Sequence, residues 1–211
     1  GCEIIRVAAY DTDSAKCIGR IREQIHIPIV ADVHFDYRIA VAAIENGADK
    51  VRINPGNIGD DGRIKCVADA ARMHSVPIRV GANTGSLEKK YRSMSRTDAL
   101  YYSAVDNIRS LEKAGFYDIV VALKSPDVRD CIEAYRKMDR TYGYPLHIGV
   151  TEAGDYEQSI VKSSIGIGSL LADDIGDTIR VSITGDPVLE IKAAKDILRF
   201  SGVRSFGPEI I

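Results

Sequence analysis

Arginine stands inside a short apolar run at four places in this chain: Ile5-Arg6-Val7, Val51-Arg52-Ile53, Ile78-Arg79-Val80 and Ile179-Arg180-Val181. β-Branched neighbours on both sides suit a pleated, buried strand. A guanidinium aimed into protein is costly unless an opposite charge meets it. Its planar fork of donors matches phosphate oxygens, so several forks on one inner face suit a compact polyanion such as a diphosphate. The plainer alternative is that each arginine pairs with its own local carboxylate. The recurrence of one context along the chain favours a ligand.

Other polar residues fall into step with these arginines. Alternate residues of a strand share a face, and by that parity Asp32 goes with His34, Arg52 with Asn54, Arg79 with Asn83, His147 with Thr151, and Arg180 with Ser182. They fall towards the C-terminal halves of their strands, where parallel barrels build their sites. Asp32 and His34 alone read equally well as a core histidine held by a carboxylate. Lys124 closes the run Val120-Val121-Ala122-Leu123-Lys124, where a lysine either holds phosphate as a point charge or, if desolvated, forms a Schiff base. Glu152 follows Thr151 at a strand tip, placed to accept a proton or to bond a hydroxyl, although a loop glutamate by itself is usually just solvated.

The elements that must position these groups alternate along the chain. Strands are expected near 4–10, 28–33, 50–55, 77–83, 118–124, 145–151 and 178–183, with amphipathic helices near 13–25, 36–46, 61–74, 97–114, 126–140, 155–172 and 187–199. Ser125-Pro126-Asp127 reads as an N-cap with proline at the first helical position, Asp186-Pro187 repeats the device, and Gly47 and Gly115 sit where helices should stop. The stretch 84–96 reads as a surface loop. Consecutive βα units predict a parallel sheet with right-handed crossovers, either doubly wound or closed as a (β/α)8 barrel. A barrel needs one strand more than this pattern supplies. Because the chain enters a strand directly after Gly1-Cys2-Glu3, a missing upstream strand is expected, and with it a vacant place between the strands near 4–10 and 178–183.

Composition limits the function. The 211 residues are 45% hydrophobic and 27% charged, ordinary globular usage for a single α/β domain. A net charge of −2 argues against extended nucleic-acid binding. There is no long apolar run and no signal-peptide pattern, so the expectation is a cytoplasmic protein without membrane contact. Cys2, Cys17, Cys66 and Cys131 are scattered, with no C-x-x-C and no histidine pair to complete a metal site.

The run Ala31-Asp32-Val33-His34-Phe35-Asp36-Tyr37-Arg38, followed by Val51-Arg52-Ile53-Asn54-Pro55-Gly56-Asn57-Ile58-Gly59, Arg79-Val80-Gly81-Ala82-Asn83-Thr84-Gly85-Ser86-Leu87, Thr151-Glu152-Ala153-Gly154 and Gly176-Asp177-Thr178-Ile179-Arg180-Val181-Ser182, resembles the 4-hydroxy-3-methylbut-2-enyl diphosphate synthases nearly end to end. The resemblance implies an α/β, TIM-type (β/α)8 barrel, here strands 2–8 with their helices. It implies isoprenoid biosynthesis by the non-mevalonate route, in which 2-C-methyl-D-erythritol 2,4-cyclodiphosphate is reductively opened and dehydrated with electrons passed through a [4Fe-4S] cluster from ferredoxin or flavodoxin. By similarity Arg6, Arg52, Arg79 and Lys124 would grip the diphosphate. Asn83 and Ser182 would add hydrogen bonds, and Asp32, His34, Asn54 and Thr151 would line the pocket. Glu152 would handle protons, and Arg180 would serve either the ligand or the barrel interior.

The departures shape the expectation further. By the resemblance the barrel occupies 1–205 and 206–211 begins a linker to a C-terminal cluster domain; no cluster ligand is assigned to this chain. Family enzymes are homodimers in which one subunit's cluster domain covers the other's barrel, so this piece alone is expected to bind without turnover. The competing readings are another phosphate-binding barrel, such as a Lys124 Schiff-base aldolase, and a barrel that only binds.

Overall fold

The computed structural model describes residues 1–91 and 93–206. Strand and helix alternate throughout: β1 (Ile5–Ala8), α1 (Thr12–Arg22), β2 (Ile29–Asp32), α2 (Tyr37–Glu45), β3 (Lys50–Ile53), the one-turn α3 (Pro55–Ile58), α4 (Asp61–His74), β4 (Ile78–Asn83), α5 (Arg96–Lys113), β5 (Ile119–Lys124), α6 (Val128–Asp139), β6 (His147–Ile148), α7 (Tyr156–Leu171), β7 (Thr178–Ile179) and α8 (Pro187–Phe200). The expected βα repeat is the observed one. Of the expected linker over 206–211, all but Phe206 lies outside the described residues. Among the described residues, no helix is long and apolar enough to cross a membrane.

Aspartates start most of the helices. Asp11 caps α1 through a reciprocal pair with Ser14, and Asp36, Asp60, Asp155 and Asp186 cap α2, α4, α7 and α8 by accepting from first-turn amides. Pro187 stands at the first helical position, as its sequence context predicts. Ahead of α6 the expectation is corrected. The cap is Asp127, whose carboxylate accepts from Arg129 and Asp130 N–H, so Pro126 precedes the helix instead of opening it. Gly47 and Gly115 end α2 and α5 at φ +91° and +72°, left-handed conformations that only glycine adopts without strain.

Two compact units divide the chain, one formed by Gly1–Gly81 with Ala104–Val121, the other by Ala82–Ser103 with the described residues from Ala122 onward. The parallel sheet has the order β1-β2-β3-β4-β5, with β1 at an edge; β1, β2, β3 and the amino-terminal parts of β4 and β5 belong to the first unit, and Ala82–Asn83 and Ala122–Lys124 to the second. Register aligns Ala31 with Val51 and Val51 with Ile78, and these residues, with Ile29, Ile53 and Val80, are fully buried. The opposite parity carries Arg6, Asp32, Arg52 and Arg79, with Asp32 opposite Arg52 and Arg52 opposite Arg79. Hydrophobic burial therefore fixes the register, and the register sets the charges side by side.

In the second unit β6 and β7 pair over two residues each, His147 with Thr178 and Ile148 with Ile179, shorter than the expected 145–151 and 178–183. Helix side chains take over where the ladder stops. The Tyr135 hydroxyl accepts from Leu123 N–H at 2.9 Å and donates to His147 C=O at 2.6 Å. Ser159 Oγ donates to Ser182 C=O at 2.6 Å, and Glu190 Oε1 accepts from Ile183 N–H at 3.0 Å. These bonds satisfy backbone of β5 and β6 and of the segment that follows β7, which among the described residues has no strand partner at Ser182 and Ile183. Gly149 lies directly on the Arg180 backbone, where any Cβ would collide. The stretch 84–96 also differs from a plain surface loop: it contains 3₁₀ turns at Thr84–Ser86 and Lys89–Tyr91, and Tyr91, 3% exposed, ties it down.

Candidate anion site

Asp32 organises the first unit's charged face. One of its carboxylate oxygens meets Arg6 Nη1 and the other Arg52 Nη1, each at 3.0 Å, while its side chain is only 7% exposed. His34 completes the group, with Nδ1 at 3.4 Å from Arg52 Nη1 and Nε2 at 3.9 Å from Asp32 Oδ1. Arg52 therefore spends one nitrogen on its neighbours. Its Nε and Nη2 have no hydrogen-bond partner among the described residues, although the side chain is four-fifths covered. A sheltered guanidinium with donors to spare is suited to an anion.

Cations outnumber the carboxylate on this face. Arg79, buried, follows Arg52 in the register, and Lys50 shares its parity at the opposite end of β3. Burial, and then the neighbouring Arg79 guanidinium, hold the Lys50 ammonium below its ordinary range, against the opposing pull of Asp118. Lys50 escaped the sequence reading, although its alternation with Arg52 was visible there. Beside this face the β1–α1 and β2–α2 connections enclose a groove of about 570 Å³, lined by Tyr10, His34 and Phe35 among others. Tyr10 and Phe35 are exposed aromatics on its wall. Nothing in their spacing marks them in the sequence.

Asn54 lies just past β3 and caps α3, its Oδ1 accepting from Gly56 N–H at 3.2 Å. This cap is why the strand stops at Ile53.

In the second unit Asn83 Oδ1 accepts from Gly85 N–H at 3.0 Å. Glu152 stands at φ +50°, a left-handed conformation unusual for glutamate, and is exposed. Its Oε1 comes within 3.7 Å of the place a Cβ on Gly85 would occupy, and Asn83 Oδ1 within 3.6 Å. The Thr-Glu-Ala-Gly loop and the Asn83–Gly85 turn thus come together. Thr151, beyond β6, donates its N–H to Ser125 C=O at 3.3 Å. Lys124 ends β5, half-buried. Arg180 lies beyond β7 with Nη2 at 3.7 Å from Glu190 Oε1, and Ser182, half-buried, gives its carbonyl to Ser159.

The cysteines do not fit an iron–sulfur cluster. Among the described residues no three histidine, cysteine or acidic side chains gather as metal ligands. Cys17 and Cys66 are exposed, and Cys131 is buried with its thiol pushed up to about 11 by burial, which favours the protonated form over a ligating thiolate.

The strands and helices form a parallel α/β scaffold of the barrel type, and its arginine-bearing face runs across the sheet: Arg52 lies in the carboxyl half of β3, but Arg6 and Arg79 stand second in β1 and β4, so for Arg79 the expected place in the C-terminal half of its strand is corrected. The chain matches the GcpE TIM-barrel domain over residues 1–195 and belongs to that family. It is 53% identical over 215 residues to the 4-hydroxy-3-methylbut-2-en-1-yl diphosphate synthase (flavodoxin) of Caldanaerobacter subterraneus subsp. tengcongensis, and 56% identical over 211 residues to the protein of that name from Thermotoga maritima. Both alignments take in 100% of this chain and 60% of the relative, so the chain spans about three-fifths of their length. Among solved structures, a Clostridium difficile dihydropteroate synthase shares the fold at a TM-score of 0.63 and 17% identity, covering 95% of this chain and 82% of that one. A type I 3-dehydroquinate dehydratase of the same species does so at 0.62 and 14%, again covering 95% and 82%.

Proposed function

We propose that this chain is the substrate-binding barrel of a 4-hydroxy-3-methylbut-2-enyl diphosphate synthase, and that its ligand is 2-C-methyl-D-erythritol 2,4-cyclodiphosphate. The observation that carries the reading is the Arg6–Asp32–Arg52 group with its unspent Arg52 donors, next in register to Arg79. In this reading the three arginines hold phosphate oxygens, and Lys124 adds a point charge. Asn83, Asn54, Thr151 and Ser182 bond the polyol or phosphate, and Arg180 steadies α8 through Glu190. Glu152, its carboxylate exposed at a loop tip, exchanges a proton with the substrate hydroxyl region.

The redox step belongs to the whole protein. A [4Fe-4S] cluster held outside this chain would supply the electrons, with flavodoxin as donor in keeping with the relatives' names. A homodimer and a cytoplasmic setting complete the proposal. Calorimetric titration of the chain with the cyclodiphosphate tests it. Saturable binding of one ligand per chain is expected, weakening steeply with salt. No binding at low salt, or borohydride trapping of a carbonyl substrate on Lys124, overturns it.

A further inference from the structure

Asp32 sits among the residues assigned to the ligand, yet its surroundings make it a poor ligand contact. Both of its oxygens are already engaged, one by each of two guanidinia at 3.0 Å. A carboxylate turned towards a diphosphate would also repel it. We propose that Asp32 is a positioning residue that fixes the Arg6 and Arg52 guanidinia before the anion arrives and acts on the ligand only through them. The inference rests on the diphosphate reading above.

Several observations converge on this role. Asp32 is central: it is opposite Arg52 in the register, and Arg6 comes from the neighbouring strand β1. Its side chain is 7% exposed, against 38% for Arg6 and 20% for Arg52, so the carboxylate is the sheltered member and the arginines are the reachable ones. It draws on one nitrogen of Arg52, whose Nε and Nη2 remain available within a now restricted orientation. Long side chains lose rotamer freedom when they grip a ligand, and a partner that has already ordered them removes that loss from the binding step. His34 meets the same Arg52 nitrogen as Asp32, its Nδ1 at 3.4 Å from Nη1.

A double-mutant cycle separates positioning from contact. Affinity for inorganic pyrophosphate is measured by calorimetry on the 211-residue chain and on its Asp32→Asn, Asp32→Glu, Arg52→Ala and Asp32→Asn/Arg52→Ala variants, each checked by thermal melt. Asp32→Asn is expected to weaken binding, and Asp32→Glu as well, since the charge stays but its place shifts by a methylene. Arg52→Ala is expected to cost about tenfold in the parent and roughly threefold or less in the Asp32→Asn background, because residues that act together are not additive. A merely structural Asp32 leaves the Arg52→Ala ratio unchanged between backgrounds, and that result overturns the inference. So does an Asp32→Asn chain that binds as tightly as the parent or more so. If Asp32→Asn does not fold, the same cycle runs on Asp32→Glu. No pyrophosphate binding by the parent overturns the diphosphate reading and this inference together, whereas binding with additive losses overturns the inference alone.

Discussion

Removing one oxygen atom from Tyr135 should loosen the second unit measurably. The ring is fully buried and its hydroxyl joins Leu123 N–H of β5 to His147 C=O of β6. Tyr135→Phe keeps the ring and its packing, so the hydrophobic contribution is unchanged. Two buried backbone groups lose their shared partner. A buried polar group left unsatisfied costs about 1–3 kcal/mol, which places the pair near 3 kcal/mol. In a chain of this size each kcal/mol lowers Tm by roughly 2–4 °C, so a fall of about 6–12 °C is expected. Urea and thermal denaturation followed by circular dichroism read both quantities. A loss below about 0.5 kcal/mol would mean that the two groups find each other or water without the tyrosine. The hydroxyl would then not be the tie between these strands.

Cys131 gives the fold an alkaline sensitivity. Burial raises its thiol from 9.0 to about 11, so it contributes full stability below pH 9 and loses it as pH rises towards the folded value. The parent is expected to lose about 2–3 kcal/mol more than Cys131→Ala in urea melts taken on either side of that window, and equal slopes would refute it. In native chains at mildly alkaline pH, iodoacetamide should label Cys17 and Cys66 and spare Cys131, as peptide mapping would show. Glu152→Gly relieves the left-handed conformation at φ +50° and is expected to stabilise the chain by about 0.5–1 kcal/mol while impairing substrate handling; a lower denaturation midpoint would contradict the strain. Lys124→Ala should weaken cyclodiphosphate binding by about tenfold, and unchanged affinity removes that lysine from the site.

The arginine-bearing face was legible because two physical signals coincided. Burial of Ala31, Val51 and Ile78 on one parity leaves Arg52 and Arg79 on the other, and alternation shows this without coordinates. What alternation cannot supply is the partner. Arg6 and Arg52 share one carboxylate, Asp32, instead of each taking its own, and that depends on β1 lying beside β2 in a particular register. Arg180 found a carboxylate of its own in Glu190, ten residues further along the chain. The short β6 and β7 were illegible for a related reason. Tyr135 and Ser159 lie on helices, and the carbonyls they bond, His147 in β6 and Ser182 beyond β7, are 12 and 23 residues away, pairings that periodicity within one element does not show.

Backbone tied to single side chains also opens differently from backbone tied to other strands. An amide within a ladder exchanges its hydrogen when strands part, a collective event shared by its neighbours. The amides of Leu123 and Ile183 are held by one hydroxyl and one carboxylate, so Ile183 is released when Glu190 moves aside, and Leu123 when the packing around the buried Tyr135 ring loosens locally. The ends that carry Lys124 and Ser182 thus have separate latches, and native-state hydrogen exchange should resolve them as separate openings within one folded unit. A substitution in the helical layer can consequently retune the mobility of one loop without touching the others.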